Sequence, residues 1–103
     1  MKVEIISEYV IAGQDVNTGD LIEILNEGEI TKGDDKIGPK MVIKVKIPKG
    51  IDKKLTLNET SKKEIIEKYG DESTAWIGKQ LKVKIAEMNV AGQFKKVIYV
   101  APV

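Results

Sequence analysis

The sequence predicts a mainly β domain, a small five-stranded barrel of order β-β-β-α-β-β with one short helix between strands three and four. Two observations carry this. Apolar and polar residues alternate in five separate runs, the period of a strand with one buried face. One further stretch, between the third and fourth runs, has helical spacing and capping residues at its start. That order of parts is the order of the OB-fold, a barrel used mainly to hold oligonucleotides or oligosaccharides. At 103 residues, the chain is expected to be a single OB-like domain over residues 1–103, burying about two thirds of its unfolded surface around one core.

Residues 2–12 contain Val3, Ile5, Ile6, Tyr9, Val10 and Ile11. They read as a strand or as an extended arm, and residues 1–19 are set apart on that account. Residues 13–19 (G-Q-D-V-N-T-G) are a loop of turn formers. The first barrel strand spans residues 21–31, with Leu21, Ile22, Ile24, Leu25 and Ile30. Its alternation breaks at Asn26 and Gly28, and a glycine inside a strand pattern marks a bulge or bend. Residues 32–39 (K-G-D-D-K-I-G-P) form a loop.

Residues 41–47 give the cleanest alternation. Met41, Ile43, Val45 and Ile47 share one face, and Val42, Lys44 and Lys46 the other. Pro48, Lys49 and Gly50 make a tight turn into residues 53–57, where Leu55 and Leu57 point in and Lys54 and Thr56 point out. These two strands should pair as a hairpin. The helix is expected over residues 60–69. Asn58, Thr60 and Ser61 are all competent N-caps, Ser61 and Glu64 make a capping box, and Gly70 fits the glycine position after the last turn. Ile65, Ile66 and Tyr69 form its apolar stripe. Residues 71–76 suggest a second short turn. Residues 79–88 are the fourth barrel strand, with Leu81, Val83 and Ile85 in and Lys82, Lys84 and Ala86 out. Residues 89–93 are a tight connection containing Gly92. Residues 94–100 are the last strand, and Pro102 ends the pattern. Trp76 and Tyr69 are expected to plug the barrel below the helix.

Composition removes several function classes. Cysteine and histidine are both absent, so disulfides, thiolate chemistry, the usual metal ligands and the usual neutral-pH base are gone. The carboxylate pairs Asp34–Asp35 and Asp71–Glu72 fall in loops or helix starts and read as solvated turn residues; a magnesium site at the first pair would be weakly specified. There is no phosphate loop and no nucleophile elbow. No enzyme, metal or cofactor is expected. With no run of 18 apolar residues and no signal-peptide pattern, a cytoplasmic protein that does not enter a membrane is expected.

Charge is segregated although the net charge is only +1. Residues 1–35 hold nine acids against two lysines, and residues 36–54 seven lysines against one acid. Residues 55–78 hold five acids against three lysines, and residues 79–103 five lysines against one acid. One reading is a lysine face that blunts sheet edges. The other is a surface for a polyanion. In the second, strands two and three form the binding face, flanked by residues 31–40 and 89–93. Lys44, Lys46, Lys54, Lys82 and Lys84 would contact phosphates, and Phe94 would be the stacking platform. None of the five aromatic residues falls on that face, and arginine, the usual guanine reader, is missing. Binding would therefore be electrostatic and sequence-tolerant.

From Leu55 onward the chain resembles a family of small phage and prophage proteins with an L-x-L-N-x-T, G-D-x-(S/T) and W-x-G-K pattern. The matching residues are Leu55, Leu57, Asn58, Thr60, Gly70, Asp71, Ser73, Trp76, Gly78, Lys79 and Gly92, within residues 52–100. The resemblance implies a setting near phage replication and recombination. The expected function is thus non-specific binding of nucleic acid, single-stranded DNA foremost, accessory to those processes. The alternative is an assembly protein that forms a homo-oligomer through acidic and basic faces without nucleic acid. A third arrangement, in which the acidic amino-terminal third folds over the basic face of its own chain, would explain the charge pattern equally.

Overall fold

The computed structural model describes residues 7–32 and 39–103. Their elements are β1 (Leu21–Ile24), β2 (Glu29–Thr31), β3 (Lys40–Lys46), β4 (Asp52–Leu57), α1 (Glu59–Tyr69), a 3-10 turn at Ser73–Trp76, β5 (Gln80–Val90) and β6 (Gln93–Pro102). All strand pairings are antiparallel and form one sheet. β3 pairs with β4 along its length, while β1 and β2 pair with different stretches of β3. β1 also pairs with β5, and β5 with β6. The connected order is therefore β4-β3-β1-β5-β6, with β2 continuing the line of β1.

The expected first strand is split, for a local reason. The Asn26 side-chain carbonyl accepts hydrogen bonds from the Lys44 N–H at 2.9 Å and the Gly28 N–H at 3.0 Å, taking over a ladder position from the backbone. Gly28 follows at φ +77°, and a Cβ there would lie 2.8 Å from Ile43 Cγ2 and 2.9 Å from the Val42 carbonyl oxygen. Only glycine meets both conditions.

The sheet does not close into a five-stranded barrel. Among the described residues no pairing joins β4 to β6. Other partners occupy the two edges that would meet. On β4, Lys54 donates its N–H to the Glu8 carbonyl at 2.8 Å and accepts from the Val10 N–H at 2.9 Å. The amino-terminal segment thus lies parallel to β4, bridged at Tyr9. On β6, the Val100 N–H donates to the buried Ser61 hydroxyl at 2.9 Å, and the Ile98 carbonyl accepts from Asn58 Nδ2 at 3.1 Å. Arm and helix start take up these edge backbone groups in place of strand pairing, and the seam stays open.

Asn58 is the N-cap, accepting from the Ser61 N–H at 2.9 Å. Ser61 is not a cap; its hydroxyl serves β6 instead. Gly70 ends the helix at φ +89°. Ile65 is buried and Ile66 is not, so the apolar stripe is narrower than expected. Trp76 is buried, and its Nε1 donates to the Gly70 carbonyl at 2.9 Å. The core gathers Ile22, Ile24, Ile43, Val45, Leu55, Leu57, Ile65, Trp76, Leu81, Val83 and Val100. Val16, from the glycine-rich loop, is fully buried among them. The last two strands run longer than expected because only Ala91 (φ +52°) and Gly92 (φ +81°) turn the chain between them. Among the described residues no helix is long and apolar enough to cross a membrane. The pair Asp34–Asp35 and residues 2–6 of the expected amino-terminal strand lie outside the described residues.

Candidate nucleic-acid interface

Strand alternation sets which lysines share a surface. On β3 and β4 the outer residues are Val42, Lys44 and Lys46 opposite Thr56, Lys54 and Asp52. Lys44 therefore stands directly across from Lys54, a like-charge pair about 5 Å apart at Cβ in such a ladder, and a destabilising one. Lys46 is placed differently: its cross-strand neighbours are Asp52 on β4 and Glu23 on β1, both opposite in charge. Lys44 and Lys46 are exposed. Lys54 is half-buried, with its Nζ 3.6 Å from Glu8. Val42, expected outside, is buried between Glu29 and Thr56 in the ladder.

Lys82 and Lys84 are exposed on the outer face of β5, opposite Ala101 and Tyr99. They line a groove of 420 Å³ that also takes in Thr60 and Glu64 of α1. β1 separates them from the β3–β4 lysines and presents Leu21 and Glu23 on the same side of the sheet. The five predicted lysines thus form two groups. Phe94 is 76% exposed near the tip of the β5–β6 hairpin. By alternation it shares a face of β6 with Lys96 and Ile98.

The sequence did not reveal a second groove, of 370 Å³, at the β4–β6 seam. Tyr9, Lys40, Lys54, Thr56, Asn58 and Lys96 line it, with no carboxylate among the described residues of its lining. Among the described residues neither Lys40 nor Lys96 makes an ion pair. Tyr9 is 39% exposed, so an aromatic ring does border the lysine face after all. It had been missed because it belongs to the arm, and periodicity says nothing about where an arm docks. A third groove is acidic in character, with Glu27, Glu29 and Asp71 against Lys62.

Asp15 fixes the arm. Its carboxylate accepts from the Ile11 N–H at 2.8 Å and lies 3.1 Å from Lys53 Nζ and 3.7 Å from Lys49 Nζ, with its side chain almost wholly buried. Burial raises its pKa, but the Ile11 hydrogen bond and the two lysines outweigh that and hold it below the ordinary value. One signal for this cluster was present in the sequence: Lys53 has the inward parity of Leu55 and Leu57, so it requires a buried acid.

No protein-family model, curated protein or solved structure matches this chain. The functional reading therefore rests on the geometry and, for its setting, on the sequence resemblance.

Proposed function

We propose that this protein is an OB-like domain that binds single-stranded nucleic acid non-specifically, in a phage or mobile-element setting accessory to replication or recombination. The strand connectivity supports the OB-like part: order β4-β3-β1-β5-β6 with the helix between β4 and β5 is that of an OB-fold whose last seam is left open. The single observation that carries the function is the facing pair Lys44 and Lys54 on the outer surface of β3–β4. A chain of phosphates relieves that repulsion, and displaces counterions in doing so.

Lys44 is the primary phosphate contact, and Lys54 joins it as phosphate displaces the exposed Glu8 carboxylate from its ammonium. Lys46, between Glu23 and Asp52, contributes less. Lys82 and Lys84 lie beyond β1 and serve a separate stretch of the strand, and Phe94 stacks a base at the hairpin tip. The acids near the arm favour self-masking over interchain assembly, because Glu8 and Asp15 pair within their own chain.

Fluorescence anisotropy of a labelled oligothymidylate tests the proposal. Binding at low salt should weaken as salt rises, log K falling against log salt by about 0.7 per phosphate contacted. Lys44→Ala with Lys54→Ala should flatten the slope by about 1.4. Absence of binding at micromolar protein and low salt would defeat the proposal.

A further inference from the structure

Resting on that reading, we infer that the groove at the β4–β6 seam holds one nucleotide unit of the bound strand, with its base on the Tyr9 ring and phosphates at Lys40 and Lys96. The charge of the groove points to an anion. Lys40, Lys54 and Lys96 converge there from β3, β4 and β6; among the described residues no acid lines it and Lys54 alone of the three is in an ion pair, while Glu87 stands across the ladder from Lys96 without lining the groove. The grooves beside α1 and beside β2 each carry carboxylates. Its 370 Å³ lies within the roughly 300–1,000 Å³ of small-molecule sites.

The composition of the walls narrows the ligand further. Tyr9, Val10, Ala12 and Val97 give an aromatic and apolar side suited to a base, while Thr56 and Asn58 add polar groups. Strand addition by a peptide is disfavoured, because Glu8 and Val10 already use the Lys54 backbone and Asn58 and Ser61 already serve β6. The groove also adjoins the outer face, since Lys54 belongs to both. On its other side Lys96 shares the face of β6 that carries Phe94. A single strand therefore has a continuous path from Lys44 over Lys54 into the groove and out along Lys96.

The test measures oligothymidylate affinity and its salt slope for the wild type, Tyr9→Leu, Tyr9→Phe, Lys96→Ala, Lys44→Ala and Lys63→Ala, the last an exposed lysine of α1 outside the groove lining. Stacking on the ring predicts at least about a five-fold loss for Tyr9→Leu and wild-type affinity for Tyr9→Phe. Lys96→Ala should weaken binding and lower the slope by about 0.7, with Lys63→Ala unchanged. Lys96 sits on a different element from the arm, so its result stands even if Tyr9→Leu loosens the arm. Wild-type affinity in both Tyr9→Leu and Lys96→Ala, with Lys44→Ala weakened, would overturn the groove and leave the outer face standing. A wild-type protein that fails to bind would overturn both.

Discussion

The two hairpins of this protein begin from the same pattern and end in different surroundings. β3–β4 turns at Pro48–Gly50, and its inner residues Ile43, Val45, Leu55 and Leu57 are all buried. The arm covers its free edge, and Asp15 beneath it neutralises Lys53. β5–β6 is longer, and only its basal half reaches the core, with Leu81, Val83 and Val100 buried in it and Ile85 and Ile98 packed against it. Beyond Glu87 and Lys96 every described side chain is exposed, including Met88 and Phe94. The difference teaches where the chain spends its apolar residues. A hairpin is stable where a third layer covers it, and an uncovered tip presents its side chains to a partner instead.

The largest way to break this contrast is at the latch. Asp15→Ala leaves the largely covered Lys53 without its acid and the Ile11 N–H without its acceptor, and should lower stability by about 3 kcal/mol in urea unfolding. The same latch gives a pH signature. The folded-state pKa of Asp15 is depressed, so its contribution is fully present above the ordinary carboxylate value of 3.8 and is lost as pH falls through the lower folded value. Acid unfolding should therefore show a component below about pH 4 that Asp15→Asn removes. Next comes Ser61→Ala, which leaves the Val100 N–H without its partner and should cost about 1–3 kcal/mol. At the uncovered tip the effects shrink. Phe94→Ala and Met88→Ala should each change stability by less than about 0.5 kcal/mol. Ala91→Asn should stabilise by up to about 1 kcal/mol, since asparagine tolerates the left-handed conformation that alanine is forced into there. Hydrogen exchange sharpens the same contrast: amides of Ile43 and Val45 should approach global protection, and those of Met88 and Lys95 should exchange through local opening.

Much of this was legible in sequence because it is local. Alternation placed the strands and, Val42 apart, the faces of β3 and β4; Gly28 marked the break; the helix expected over residues 60–69 runs Glu59–Tyr69, capped by Asn58, one of the three candidates, and ended by Gly70. The registry of Lys44 with Lys54 follows from a short turn between two alternating runs. What alternation cannot show is which distant segments become neighbours. Glu23 flanks Lys46 only because β1 docks on β3 there. The open seam depends on Ser61 and Asn58 reaching β6 about 40 residues downstream. Tyr9, Lys40 and Lys96 meet in one groove from three elements whose spacing carries no common period. The inward parity of Lys53 was the one overlooked local clue.

The most direct test of the account is a titration of the isotope-labelled protein with oligothymidylate, followed by amide and side-chain NMR shifts. Shifts that grow at Lys44, Lys54, Tyr9, Lys40 and Lys96, and vanish at high salt, are the predicted result. Shifts confined to the groove beside α1, or none at low salt, would contradict it.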